Sequence, residues 1–185
     1  DGRYVTFQSV ATNLVAGDTN GRDDVFVRDL QAGVTSRVSV SSTGAQADGE
    51  SGVAAISGSG RYVAFPSAAT SLVAGDTNGV DDVFVHDRVS GATTRVSVSS
   101  SGAQGNGETT GGFPAISTDG RFVAFSSEAS NLVAGDTNGV DDTFVHDRSS
   151  GTTTRVSLSS TGAQADAGVV PNTAPALSAD GRSVA

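Results

Sequence analysis

The sequence predicts an all-β fold: a β-propeller segment of about three four-stranded antiparallel blades, partial or open. Three observations lead there. The text repeats, with the same 42-residue spacing from Gly2 to Gly44, from Gly60 to Gly102 and from Gly120 to Gly162. Each copy holds several short apolar runs punctuated by Gly, Asp, Asn and Ser. The composition is 36% hydrophobic and 5% aromatic, with 24 glycines, which suits short strands and tight turns over long helices.

The elements follow in order along the second copy. Val53–Ser57 (VAAIS) opens the unit, with counterparts Phe113–Ser117 (FPAIS) and Ala174–Ser178 (APALS). Arg61–Ser67 (RYVAFPS) and Asp81–Asp87 (DDVFVHD) follow, both apolar on two faces and so in need of cover on both. Ala92–Ser99 (ATTRVSVS) alternates Val96 and Val98 against Arg95 and Ser97, as an outer edge strand would. The dipeptides Asp119-Gly120, Asn78-Gly79 and Ser90-Gly91 supply turns. Four-stranded units covered on both faces by copies of themselves describe propeller blades, with the VAAIS-type strand innermost. The count gives three strands in the first blade and four in the second and third. The repeat units are 1–52, 53–112 and 113–173, with a fourth starting at 174–185, all within one segment of 1–185.

The order S-x-D-G-R-[YF]-V-A-F, D-x-F-V-x-D, G-x-T-x-R-V-S resembles the WD40-like (PD40) repeat of TolB-type propellers, seen best at Ser117–Phe125. Ser59 and Ser183 depart from it. The resemblance implies a propeller that serves as a bacterial binding platform, a periplasmic scaffold or a gate on a peptidase. The extra NLVAGDTNG insert in each blade suggests secreted or cell-surface proteins.

Charge narrows the partners. The formal net charge is −9, and the 11 basic residues are all Arg. A chain this acidic, without a basic cluster, is a poor match for nucleic acid. No apolar run reaches the roughly 18 residues of a membrane span. Without Cys there are no disulfides, thiolate metal sites or cysteine nucleophiles. The chain also lacks Met and starts and stops inside repeats, so it is expected to be cut from a longer array. As an open arc it should expose apolar faces at both ends and self-associate.

One loop per repeat carries candidate chemistry. Its members are Asp18, Asn20 and Asp24, then Asp76, Asn78 and Asp82, then Asp136, Asn138 and Asp142. The spacing D-x-N-G-x-D-D gathers oxygen donors around a Gly turn, a supply that suits calcium, one ion per repeat. The other reading is an Asx-type turn, in which the side chains bond their own backbone. His86 and His146 are expected at the surface, because the first copy has Arg28 there. Arg3, Arg61 and Arg121 are expected to pair with Asp29, Asp87 and Asp147 across neighbouring strands. Glu50 and Glu108 fall in the variable stretch and read as solvated loop carboxylates.

No catalytic constellation stands out, so the expected function is a non-enzymatic, secreted or surface-exposed binding or scaffolding module, with the periplasm as another compartment. The ligand is a protein or a carbohydrate. One alternative is the regulatory or substrate-gating propeller of a larger peptidase or glycosidase. A second is a calcium-dependent carbohydrate-binding propeller, against which the few aromatics count.

Overall fold

Eleven strands in three antiparallel sheets make up the chain in a computed structural model that describes residues 2–169 and 173–185. Asp1 and the Val170–Pro171–Asn172 part of the last variable stretch lie outside the described residues. The first sheet has three strands in the order β1 (Tyr4–Ser9), β2 (Asp24–Asp29), β3 (Val34–Arg37). The second runs β4 (Ala55–Ile56), β5 (Tyr62–Ser67), β6 (Asp82–Asp87), β7 (Thr93–Arg95). The third runs β8 (Thr109–Ile116), β9 (Phe122–Ser127), β10 (Asp142–Asp147), β11 (Thr152–Arg155). Strand count and order match the sequence expectation for the first three units, and the VAAIS and FPAIS strands occupy one edge of their sheets; the expected strand at Ala174–Ser178 is reduced to a single bridge between Leu177 and Val184 and joins none of the three sheets.

The core lies between the sheets. Val25 and Val27 of the first sheet meet Val63, Phe65 and Phe84 of the second in one cluster. Ala64, Val83 and Val85 point the other way and meet Val123, Phe125 and Phe144 of the third. So β5 and β6 are buried on both faces, as their doubly apolar text requires. The inserts add Leu72 and Leu132, each 1% exposed, one to each cluster.

Two strands differ from their sequence reading for stated physical reasons. The Ala92–Ser99 run stops as a strand at Arg95. Ser97 is buried, because its hydroxyl accepts from Val83 N at 3.1 Å and donates to Asp82 Oδ1 at 2.5 Å. Val98 leaves the sheet to bridge Gln104. The strand before β5 has two residues, whereas β8 has eight. Thr110 of β8 pairs with Ser126, but the corresponding partner in the second sheet is Pro66, which has no N–H to give. There Gly52 N donates to Pro66 O without a bond in return, and the pairing continues beyond it as an isolated bridge between Ser51 and Ser67.

Candidate functional site

The DTNG loop sits where the insert returns to the sheet, just before β2, β6 and β10. In the second copy, Asp76 and Asp82 face a single guanidinium. Arg95 Nη1 lies 3.0 Å from Asp76 Oδ1 and 3.0 Å from Asp82 Oδ2. Asn78 donates its amide to Asp82 Oδ2 and to Gly105 O, both at 3.0 Å. The other copies repeat the arrangement. Arg37 holds Asp18 and Asp24 at 3.3 Å each, and Arg155 holds Asp136 at 3.0 Å and Asp142 at 3.1 Å. The three side chains singled out in each copy are thus brought together, around an arginine.

The electrostatics fit a buried knot. Burial raises the carboxyls of Asp76 and Asp136, and the nearby Asp82 and Asp142 carboxylates add to it. The last Asp is tied on both oxygens, since Ser39, Ser97 and Ser157 donate to Asp24, Asp82 and Asp142. Gln104 and Gln164 clasp the insert from the far side, through Thr77 N at 3.4 Å and Thr137 N at 3.0 Å. Sequence reasoning missed Arg37, Arg95 and Arg155 and these serines by placing them on a plain edge strand. The signal was present: R-V-S and G-A-Q recur at a constant offset from the loop in every copy. Among the described residues, no group of three or more His, Cys, Asp or Glu side chains is gathered in the manner of a metal centre.

The opposite rim carries the expected strand clamp. Arg61 donates to both Asp87 oxygens at 2.8 and 2.7 Å, and Arg121 does the same to Asp147. Arg3 holds Asp29 at 2.7 Å. These guanidinium hydrogen bonds hold all three carboxyls well below the usual carboxylate range.

The histidines overturn the surface expectation. His86 is 7% and His146 6% exposed. The threonine beside each is tied to the segment that follows the preceding sheet: Thr93 Oγ1 donates to Val40 O of the first copy, and Thr153 Oγ1 to Val98 O of the second. With its proton spent there, each threonine accepts from His Nδ1 at 2.9 Å, which fixes the neutral Nδ1–H tautomer. Burial lowers both imidazoles from their ordinary value. Arg28 tells nothing about this position, because it lies in the first sheet and bonds Thr35 at 3.1 Å without a preceding sheet above it among the described residues.

Glu50 and Glu108 are on the insert-bearing rim. Glu50 is exposed, 3.6 Å from Arg22, and Asp81 beside them is raised by burial and by the neighbouring carboxylates of Glu108, Asp82 and Glu50. The arginines of this rim are Arg22, Arg37, Arg95 and Arg155, and its carboxylates outnumber them. A mostly apolar cavity of about 390 Å³ lies between the third sheet and the C-terminal segment, lined by Thr143, Val156, Val169, Pro175 and Val184 among others.

No family model matches the chain, and no curated protein matches it. Solved structures do. TolB from Acinetobacter baumannii superimposes with a TM-score of 0.55 at 18% identity, over 99% of this chain and 34% of that one. The tricorn protease gives 0.54 at 14% identity, over 98% of this chain and 14% of that one. Dipeptidyl peptidase 4 from Porphyromonas gingivalis gives 0.51 at 14% identity, over 84% and 24%. The chain spans about a third or less of the length of these structures. Three stacked antiparallel sheets, built from one repeated text and superimposable on TolB, give this chain the fold of a TolB-type β-propeller segment.

Proposed function

We propose that the chain is a non-catalytic propeller module that presents a binding or scaffolding surface in the bacterial envelope, in the periplasm or on the cell surface. One observation carries this reading. The polar side chains that recur in every copy are spent on architecture: the Arg–Asp clamps on one rim, the Asp–Arg–Asp knots on the other, and in the second and third copies the His–Thr pairs between sheets. What varies between copies is the text after GAQ, whose exposed residues Asp48, Glu50, Asn106 and Glu108 lie toward the acidic, insert-bearing rim. Variable residues on a constant frame are how a binding surface is carried. The fold shared with TolB supports the module and envelope reading. The superposition on the tricorn protease and on a dipeptidyl peptidase supports the rival, a propeller attached to a peptidase.

A direct test assays the chain on peptidase and glycosidase substrates and, in parallel, immobilises it to measure retention of candidate envelope proteins and sugars. The module reading expects no turnover, and retention that is lost when Glu50, Asp81 and Glu108 are replaced by their amides. Turnover by the purified chain would overturn it.

The Asp/Asn loops have two readings, calcium or turn chemistry. We favour the turn, with the arginine as resident cation. What supports this is the guanidinium between the two carboxylates and the amide nitrogen that Asn78 directs at Asp82. Calcium, one per repeat, is the rival. A ligand that binds only the native state raises the melting temperature by mass action. The turn reading expects millimolar calcium and EDTA to leave the melting curve unchanged.

A further inference from the structure

We propose that Asn106-Gly107, on the acidic rim, is a site of spontaneous deamidation, and that the knots protect the three other Asn-Gly pairs from the same reaction. Asn20, Asn78, Asn106 and Asn138 each precede a glycine. In such a pair the backbone nitrogen of the glycine attacks Cγ of the asparagine, unhindered because glycine has no side chain. A five-membered succinimide ring closes and ammonia leaves. Water then opens the ring at either carbonyl, to aspartate or isoaspartate. The net change takes an amide and water to a carboxylate and ammonium, with no oxidant or reductant. All four pairs share this chemistry, so their surroundings set them apart.

Three of the four amides are locked. Asn78 Nδ2 donates to Asp82 Oδ2 and to Gly105 O, each at 3.0 Å. Asn20 Nδ2 does the same to Asp24 Oδ2 and Ala47 O at 3.1 Å, and Asn138 Nδ2 to Asp142 Oδ2 at 2.9 Å and Ala165 O at 3.2 Å. The three aspartates are buried. Turning Cγ toward the glycine nitrogen gives up both bonds and takes a donor from a buried carboxylate, so the loop must open before the ring can close. The product is placed worse still. It would set a new carboxylate against Asp82, while Asp76 shares the same guanidinium.

Asn106 is held differently. It is exposed, and its side chain meets only Ser130, which is exposed too: Nδ2 donates to Ser130 Oγ at 3.1 Å, and Oδ1 accepts from Ser130 N at 2.9 Å. The frame already accepts a carboxylate at this place. Gln104-Gly105-Asn106-Gly107-Glu108 corresponds to Gln46-Ala47-Asp48-Gly49-Glu50 in the first copy. There Asp48 Oδ2 accepts from Thr70 Oγ1 at 2.8 Å, and Oδ1 accepts from Ser71 N at 3.1 Å and Ser71 Oγ at 3.0 Å. Ser130 stands at the place of Thr70, and its hydroxyl needs only to rotate from accepting to donating. Conversion thus gives the second copy the carboxylate that the first is made with, beside Glu108. The added charge falls on the rim proposed above as a binding surface, but its appearance does not rest on that reading.

Trypsin puts each pair in its own peptide, Tyr4–Arg22, Tyr62–Arg88, Val96–Arg121 and Phe122–Arg148. The folded chain is held at mildly alkaline pH beside a second sample in urea. The peptides are followed by mass over time, with fragment spectra to assign the residue. In urea all four pairs should convert at similar rates. In the folded chain Asn106 should stay within a few-fold of its urea rate, while the other three fall roughly tenfold or more below it. Asn106→Asp should melt with the parent, because its carboxylate finds the donors that Asp48 has. Equal conversion of all four in the folded chain, or an Asn106 as protected as Asn78, overturns the proposal. So does an Asn106→Asp variant that melts well below the parent.

Discussion

The ring of Tyr62 lies directly against the backbone of Gly120 in the next copy, so closely that a Cβ on Gly120 would fall 2.1 Å from Tyr62 Cδ2. Arg61 and Arg148 stack on the ring at 4.8 and 4.4 Å from its centroid, and Arg148 Nη1 donates to Gly120 O at 2.6 Å. Tyr4 meets Gly60 in the same way, between Arg3 and Arg88. The D-G-R-[YF] text is therefore a joint between blades as well as a turn.

Replacing that glycine should separate the two roles. Gly120 has φ +76° and Gly135 has φ +74°, but nothing lies within 4 Å of a Cβ on Gly135. Gly135→Ala should cost about 1 kcal/mol, for the backbone conformation alone. Gly120→Ala should cost about 3 kcal/mol, because the ring must also move. Urea melts check both, and adding Tyr62→Ala to Gly120→Ala should recover part of the loss.

Phe84 tests the packing between the first two sheets. It is fully buried, 6.1 Å centroid to centroid from Phe65. Phe84→Ala should cost about 3–5 kcal/mol in a urea melt. A loss below about 1 kcal/mol would mean that the sheets do not share this core.

The buried histidines set an acid limit. Their folded pKa lies below the ordinary 6.5, so the unfolded chain binds protons first as pH falls. Stability should be full above about pH 7 and decline as pH drops through 6.5 toward the lower folded value. Gln cannot protonate, so His86→Gln with His146→Gln should flatten the decline between pH 7 and 5. Melts at several pH values would show it.

Arg95 should matter more than a surface arginine. Its side chain is 11% exposed, and the two carboxylates it holds are 4% and 2% exposed. Arg95→Gln leaves Asp76 and Asp82 facing each other without a cation and should cost about 3 kcal/mol. In that variant, and not in the parent, calcium should recover melting temperature. No recovery would show that the pocket cannot accept a metal even when vacant.

Much of this was legible in the text. Doubly apolar runs such as DVFV and YVAF require cover on both sides, and repetition says that the cover is another copy. The Arg61–Asp87 clamp was legible because both residues recur at strand ends that antiparallel pairing brings together. Three-dimensional neighbours were less so. The hydrogen bond of His86 depends on Thr93, which is itself oriented by Val40, from the preceding copy and far away in sequence. The placement of Arg95 depends on the strand stopping after it, which Ser97 enforces by tying Asp82. An alternating pattern reads such a residue as exposed, because periodicity says nothing about a side chain bonded across the edge.

A crystal structure grown in millimolar calcium tests most directly the claim that the recurring polar residues are architecture. The account predicts Arg37, Arg95 and Arg155 between their paired aspartates, with each asparagine amide on the second aspartate and no metal density. Calcium coordinated by Asp76, Asn78 and Asp82, with Arg95 displaced, would contradict it.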